Sequence, residues 1–125
     1  MPELNSIEKV RIENHNGKRI LIVDYSNGNE SAMIEAVDRA KLLLQSENRP
    51  TLVLSIFNNK NYLTTNYIRH LKKELKEVEH LIHKNTVIGL SQIQTWILKG
   101  VNLWTEKQIT DFDSFEKAID FLLKD

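Results

Sequence analysis

The chain has 125 residues, of which 41% are hydrophobic, and its 17 Lys and Arg balance 17 Asp and Glu. That size and composition suit one ordinary domain, long enough to bury a core without a metal or disulfide staple. Zero formal net charge supplies no long-range field for nucleic acid or an anionic membrane, and the lack of cysteine excludes disulfides, thiolate metal sites and cysteine nucleophiles.

The opening stretch, MPELNSIEKVRIEN, lacks the basic segment and apolar core of a signal peptide. No apolar run approaches the ~20 residues that span a bilayer. The expectation is a soluble, cytoplasmic protein with one domain over residues 1–125.

Ile7 to Ile12 alternate in polarity, with Val10 and Ile12 on the inward side of a first strand. Asn16-Gly17 is a favoured hairpin turn, because both residues tolerate φ > 0. RILIVDY follows as a second strand, and its apolar run Ile20 to Val23 suits an interior strand covered on both faces. A helix starts near Asn29 or Glu30, with Met33, Ala36, Val37, Ala40 and Leu44 as its apolar stripe. Pro50 ends it by disfavouring helix at Arg49.

TLVLSIF, 51–57, is the third strand. The next helix is expected from Thr64 to His83, burying Ile68, Leu71, Leu75, Val78 and Ile82 and exposing Lys72, Lys73, Glu74, Lys76, Glu77 and Glu79. NTVIGL is a fourth strand. The pattern predicts a helix from Ser91 to about Leu103, with Ile93, Ile97, Val101 and Trp104 on one line and Gly100 interrupting it. KQITDF is a fifth strand. A last helix over 113–125 carries the stripe Phe115, Ala118, Ile119 and Leu122, with Asp113 and Glu116 at capping-box spacing. The order β-β-α-β-α-β-α-β-α implies an α/β fold with a mixed, mostly parallel sheet.

Ligands of open α/β sheets sit beyond the carboxyl ends of the strands. There the chain places Asp24, then the polar run Asn58, Asn59, Lys60 and Asn61 leading to Thr64. The structural reading is a turn and a helix cap, since asparagine tolerates left-handed backbone and Thr64 is a competent N-cap. The functional reading is a docking loop at Asp24, Asn58, Asn59 and Thr64. Ser91 lies at a strand-to-helix turn like a hydrolase nucleophile. However, Ile93 replaces the second glycine of G-x-S-x-G, no histidine follows it, and Gln94 completes a capping box instead. His80 and His83 share a helix face in this reading but lack a third ligand, so no metal is expected. No Gly-rich phosphate loop is present, and no cofactor is implied. Trp96 and Trp104, with Leu98 and Leu103, exceed what one buried stripe can hold: the default is that the excess packs under the last helix, while an exposed Trp/Leu patch would make a protein or lipid contact surface.

The segments LIVDYSN, TLVLSIFN and VIGLSQIQ, and the tail F-x-S-x-E-x-A-x-x-x-L at Phe112 to Leu122, resemble the STAS superfamily, founded on anti-sigma-factor antagonists. The likeness is to its small stand-alone bacterial members, also called CRAL-TRIO-like. This resemblance implies a mixed sheet with helices mainly on one face, and binding in place of catalysis. Antagonists carry a phosphorylated serine just after the strand equivalent to 51–57. Here Ile56-Phe57-Asn58-Asn59 supplies neither hydroxyl nor glycine, so that phosphoswitch is expected to be absent. Asp24 matches the acidic residue that such proteins place at the end of the preceding strand. The expectation is a non-enzymatic regulatory or interaction module, with a small apolar ligand-binding domain and a Ser91 hydrolase as alternatives. The partner, whether an unidentified protein or a small apolar ligand, and homodimerisation stay open.

Overall fold

The structure is a computed structural model and describes residues 8–124. Five strands and four helices follow the expected order: β1 Val10–His15, β2 Lys18–Asp24, α1 Glu30–Glu47, β3 Thr51–Ile56, α2 Thr65–Val78, β4 Ile82–Ile88, α3 Gln92–Asn102, β5 Ile109–Phe112 and α4 Phe115–Leu123. The alternation predicted from Ile7 begins outside the described residues; within them Val10 is buried and Ile12 half-buried. Asn16 and Gly17, at φ 52° and 84°, make the turn from β1 to β2.

The strands lie side by side in chain order. β1 runs antiparallel to β2, and the remaining neighbours are parallel. Because β2 to β5 step across the sheet in one direction, right-handed crossovers must put α1, α2 and α3 on the same face. Leu21, Val23, Val53 and Val87 pack there against Met33, Leu44, Leu75 and Val101. The opposite face needs its own cover. Ile20, Ile22, Leu52 and Leu54 point to it and meet Ala118, Ile119 and Leu122 of α4. The central strands are therefore apolar on both faces, as Ile20 to Val23 suggested.

The five predicted core residues of α1 are all buried, and Asn29 caps the helix by accepting the Ala32 amide. Asn48, at φ 52°, ends it. Three boundaries differ from expectation. α2 stops at Val78, a 3-10 turn takes Glu79–Leu81, and Ile82 opens β4. The segment around Leu81-Ile82 suits either period, and parallel pairing with β3, Thr51↔Ile82 and Leu52↔Lys84, overrides a weak helical preference. Glu74 is buried, contrary to its solvent-side assignment, because Lys41 of α1 reaches its carboxylate at 2.6 Å. At α4 the cap is Ser114, which accepts the Lys117 amide, and the Asp113–Glu116 box does not form.

The third helix departs furthest from its predicted stripe. Gln94, Leu98 and Val101 face inward. Of the expected line only Val101 is buried; Ile97 is half-buried, while Ile93 is 74% and Trp104 59% exposed.

Candidate functional site

The carboxyl edge of the sheet is a web of short side chains. Asp24 ends β2 and accepts both the amide (3.0 Å) and the hydroxyl (2.6 Å) of Ser26, folding the chain back. Asn58, just past β3, accepts the amides of Asn27 at 3.2 Å and Lys60 at 3.1 Å and donates to Asn27 Oδ1 at 2.8 Å. Thr64 caps α2 by accepting the Tyr67 amide at 3.2 Å, and its hydroxyl donates to Glu30 at the start of α1. Asn59 is exposed.

Asn61 holds this web together. It is 3% exposed; its Nδ2 donates to the carbonyls of Tyr25 (2.8 Å) and Gly28 (3.0 Å), and its Oδ1 accepts the Asn58 amide at 2.9 Å. Buried Gln94 reaches the Asn61 carbonyl at 2.9 Å and accepts the Ser91 amide at 2.8 Å. The loops after β2, β3 and β4 are thus joined through two amide side chains. Sequence reasoning listed Asn61 on the edge and Gln94 in a cap, but nothing in a run of asparagines shows which one turns inward.

Beneath the web lies an aromatic trio. Tyr25 stacks on Phe57 at 4.7 Å between ring centroids, and Tyr67 meets Tyr25 edge-on at 5.6 Å. Burial pushes the Tyr25 phenol up to about 12, partly offset by its hydrogen bond with Tyr67. Burial raises Tyr67 well above the usual phenol range, reinforced by Tyr25. Two small cavities, each of about 60 Å³, flank the trio between the sheet and α2; Ser55 and Asn85 line both, placing a hydroxyl and an amide among aliphatic walls. An open groove of about 480 Å³ runs past Asp24, bordered by Lys9, Glu35 and Arg39.

Ser91 is the N-cap of α3 in a complete capping box with Gln94. Its hydroxyl accepts the Gln94 amide, and no histidine or carboxylate is among its hydrogen-bond partners. His80 and His83 fall in the 3-10 turn and in β4, so they do not share a helix face. The structure gathers a different set, Asp38, His70 and Glu74, whose ligand atoms lie within 4.8 Å of one another. His70 bonds Asp38 at 2.6 Å, and Lys41 reaches Glu74 and Glu77 at 2.6 Å each. The Lys41 ammonium, held above the usual lysine range first by Glu74 and then by Glu77, already supplies the cation for these carboxylates.

Unmatched apolar surface lies on α3. Ile93, Trp96 and Leu103 are 74%, 73% and 88% exposed, with Tyr62 of the neighbouring loop at 82%. Trp104 sits at the far end of the same face, under the Lys72 ammonium 4.9 Å from its ring centroid. Of the two predicted patch tryptophans, Trp96 stands on α3 and Trp104 just past its end. Among the described residues no helix is long and apolar enough to cross a membrane.

No protein-family model matches the chain, and no curated protein matches it in sequence. A solved structure does match in shape. It is an uncharacterized protein of the DUF3478 family from Shewanella loihica PV-4, described as having a SpoIIAA-like fold, with a TM-score of 0.67 over 90% of this chain and 91% of that one at 14% identity. With five strands, three helices on one face and one on the other, the chain shares the SpoIIAA-like fold of that protein.

Proposed function

We propose that the protein is a non-enzymatic interaction module of STAS type that docks a partner protein through the outer face of α3. The carrying observation is the exposure of Ile93 and Trp96 on α3 and of Leu103 at its C-terminal cap. Burying a large apolar side chain stabilises a contact by roughly 1.5–3 kcal/mol, and exposed aromatic clusters of this kind mark interfaces. The sheet edge plays the supporting part. Asp24, Asn58 and Thr64 are committed to Ser26, Asn27 and Glu30, which leaves Asn59 and the open side of the Asp24 groove to add polar rim contacts.

The lack of a serine at Asn58 and Asn59 argues for partner binding without a phosphoswitch. Intact-mass measurement of protein from its native source is expected to show no stoichiometric phosphate. Capture from native lysate tests the docking face. A specific protein is expected on wild-type bait and absent from Trp96→Ser/Leu103→Ser bait. No specific protein, or capture indifferent to those substitutions, overturns the reading.

A second reading has its own observation. The cavities shared by Ser55 and Asn85 offer hydrogen-bonding groups within an apolar interior, the usual character of a small-ligand site. Native mass spectrometry of gently purified protein decides it: a co-purifying small molecule lost in Asn85→Leu supports it, and bare protein in both ends it.

A further inference from the structure

The face of α3 that carries the tryptophans adjoins a groove against α2, and the two helices differ sharply in chemistry across it. Ile68 and Ile97 form its apolar floor with Trp104, and its volume is about 600 Å³. The rim on the α2 side is Arg69, Lys72, Lys73 and Lys76, and no acidic residue lines the groove. In a chain of zero net charge, four cations on one groove wall are a local excess.

Only part of that excess is answered. Lys76 reaches Glu79 at 3.3 Å and Lys73 reaches Glu74 at 4.0 Å. Arg69 bonds the neutral Asn66 at 3.1 Å, and the Lys72 ammonium lies over the Trp104 ring. Among the described residues, neither Arg69 nor Lys72 has a carboxylate partner within ion-pair reach.

We infer that this groove takes an acidic amphipathic helix from a partner protein, with apolar anchors on the Ile68–Ile97–Trp104 floor and carboxylates over Arg69 and Lys72. The inference rests on the interaction-module reading and specifies the partner's chemistry. The groove follows α2 from Thr65 to Lys76, roughly 16 Å at 1.5 Å per residue, which matches three turns of a docked helix. Such a helix presents anchors at i, i+3 or i+4, and i+7, spaced for a floor of this length. Carboxylates along its flank meet the cationic rim and set its orientation. With Trp104 as its one aromatic ring, the groove offers successive nucleic-acid bases few surfaces to stack on.

Selection from a displayed library of random 16-residue helical peptides tests this on the full chain. The peptides enriched on wild-type protein are expected to be net acidic, with apolar residues at helical spacing. The tightest of them should shift tryptophan emission to the blue, since both tryptophans of the chain stand on or just past α3. Its affinity should fall at least tenfold in Lys72→Glu, less in Lys72→Gln, and severalfold when salt rises from 50 to about 200 mM. Lys72 is half-buried with its ammonium over the Trp104 ring, so thermal melting should shift only slightly. The inference is overturned if nothing is enriched, if the enriched peptides are neutral or basic, or if vesicles of phosphatidylglycerol shift the emission while acidic peptides do not. Should lysate capture still depend on Trp96 and Leu103 in any of those cases, the interaction reading survives and only the acidic helix is lost.

Discussion

The loop from Phe57 to Thr64 and the outer face of α3 make opposite use of their composition. The loop is rich in asparagine and lies where α/β proteins place ligands, yet its amides are turned on one another and on the backbone. The stripe read as core on α3 includes Ile93 and Trp104, yet they are 74% and 59% exposed, beside Trp96 and Leu103 at 73% and 88%. Polar character identifies a site poorly when the polar groups are already satisfied. Chemistry without a partner is the better sign, and here it is hydrophobic.

The sharpest way to break the loop side of this comparison is at its shoulder. Gly89 follows β4 with φ +85°, and a Cβ there would stand 1.8 Å from the Phe57 carbonyl oxygen. That oxygen is backbone and the strand ends are paired, Phe57 amide to Ile88 carbonyl at 3.0 Å, so neither side yields cheaply. Gly89→Ala combines left-handed strain with a backbone clash, and a loss on the order of 4 kcal/mol is expected. Chemical denaturation measures it; a loss under about 1 kcal/mol would show that the two strand ends are loosely joined.

Asn61→Ala comes next. It removes both donors from the Tyr25 and Gly28 carbonyls and the acceptor of the Asn58 amide, in a place only 3% exposed. Stranding such groups costs about 1–3 kcal/mol, so about 3 kcal/mol is expected from the set. Asn58→Ala, nearer the solvent, should cost less. Equal costs would mean that the web has no centre.

Much of the fold was legible in the chain. The stripe of α1 is correct at every position because the other large apolar residues, Ile34, Leu42 and Leu43, form no continuous stripe of their own. The hairpin follows from Asn16-Gly17, and the doubly apolar β2 from the helices on both sides of it. α3 was misread for a physical reason. Both Ile93, Ile97, Val101, Trp104 and Gln94, Leu98, Val101 satisfy helical spacing, sharing Val101, and the first set is the more apolar. Gln94 turns inward because the Asn61 carbonyl and the Ser91 amide satisfy both ends of its amide. That compensation depends on residues distant in the chain, which no local pattern reveals. The end of α2 was hidden likewise, since only pairing with β3 makes Ile82 a strand residue.

Acid should loosen the surroundings of α3. Burial pushes the Glu79 carboxyl up, but the Glu106 amide at 2.9 Å and Lys76 outweigh it and hold it below the ordinary carboxylate value of 4.5. The unfolded chain then binds the proton more readily. The contribution is complete above pH 4.5 and is lost as pH falls through the lower, folded value. Urea midpoints should drop over that window, and Glu79→Gln should make the drop shallower. At the alkaline end the sign reverses. The Tyr25 phenol titrates at about 12 in the fold against 10 when unfolded, so stability declines between those values. Phenolate absorbance should show Tyr25 and Tyr67 still protonated at pH 11 while the fold persists.

The smallest stability effects are expected at the two ends of the α3 problem, and they separate its structural role from its binding role. Ser91→Ala removes the cap that accepts the Gln94 amide and should cost about 1 kcal/mol, with no change in any ester hydrolysis the preparation shows. Trp96→Ser and Leu103→Ser replace side chains 73% and 88% exposed and should stay within about 0.5 kcal/mol of wild type. A cost of 2 kcal/mol at either position would mean that the side chain packs inward in solution, and the apolar face would then belong to the core. Neutral stability together with lost partner capture is the signature of a surface kept apolar at no gain to the fold, which a folded chain retains only for something that covers it.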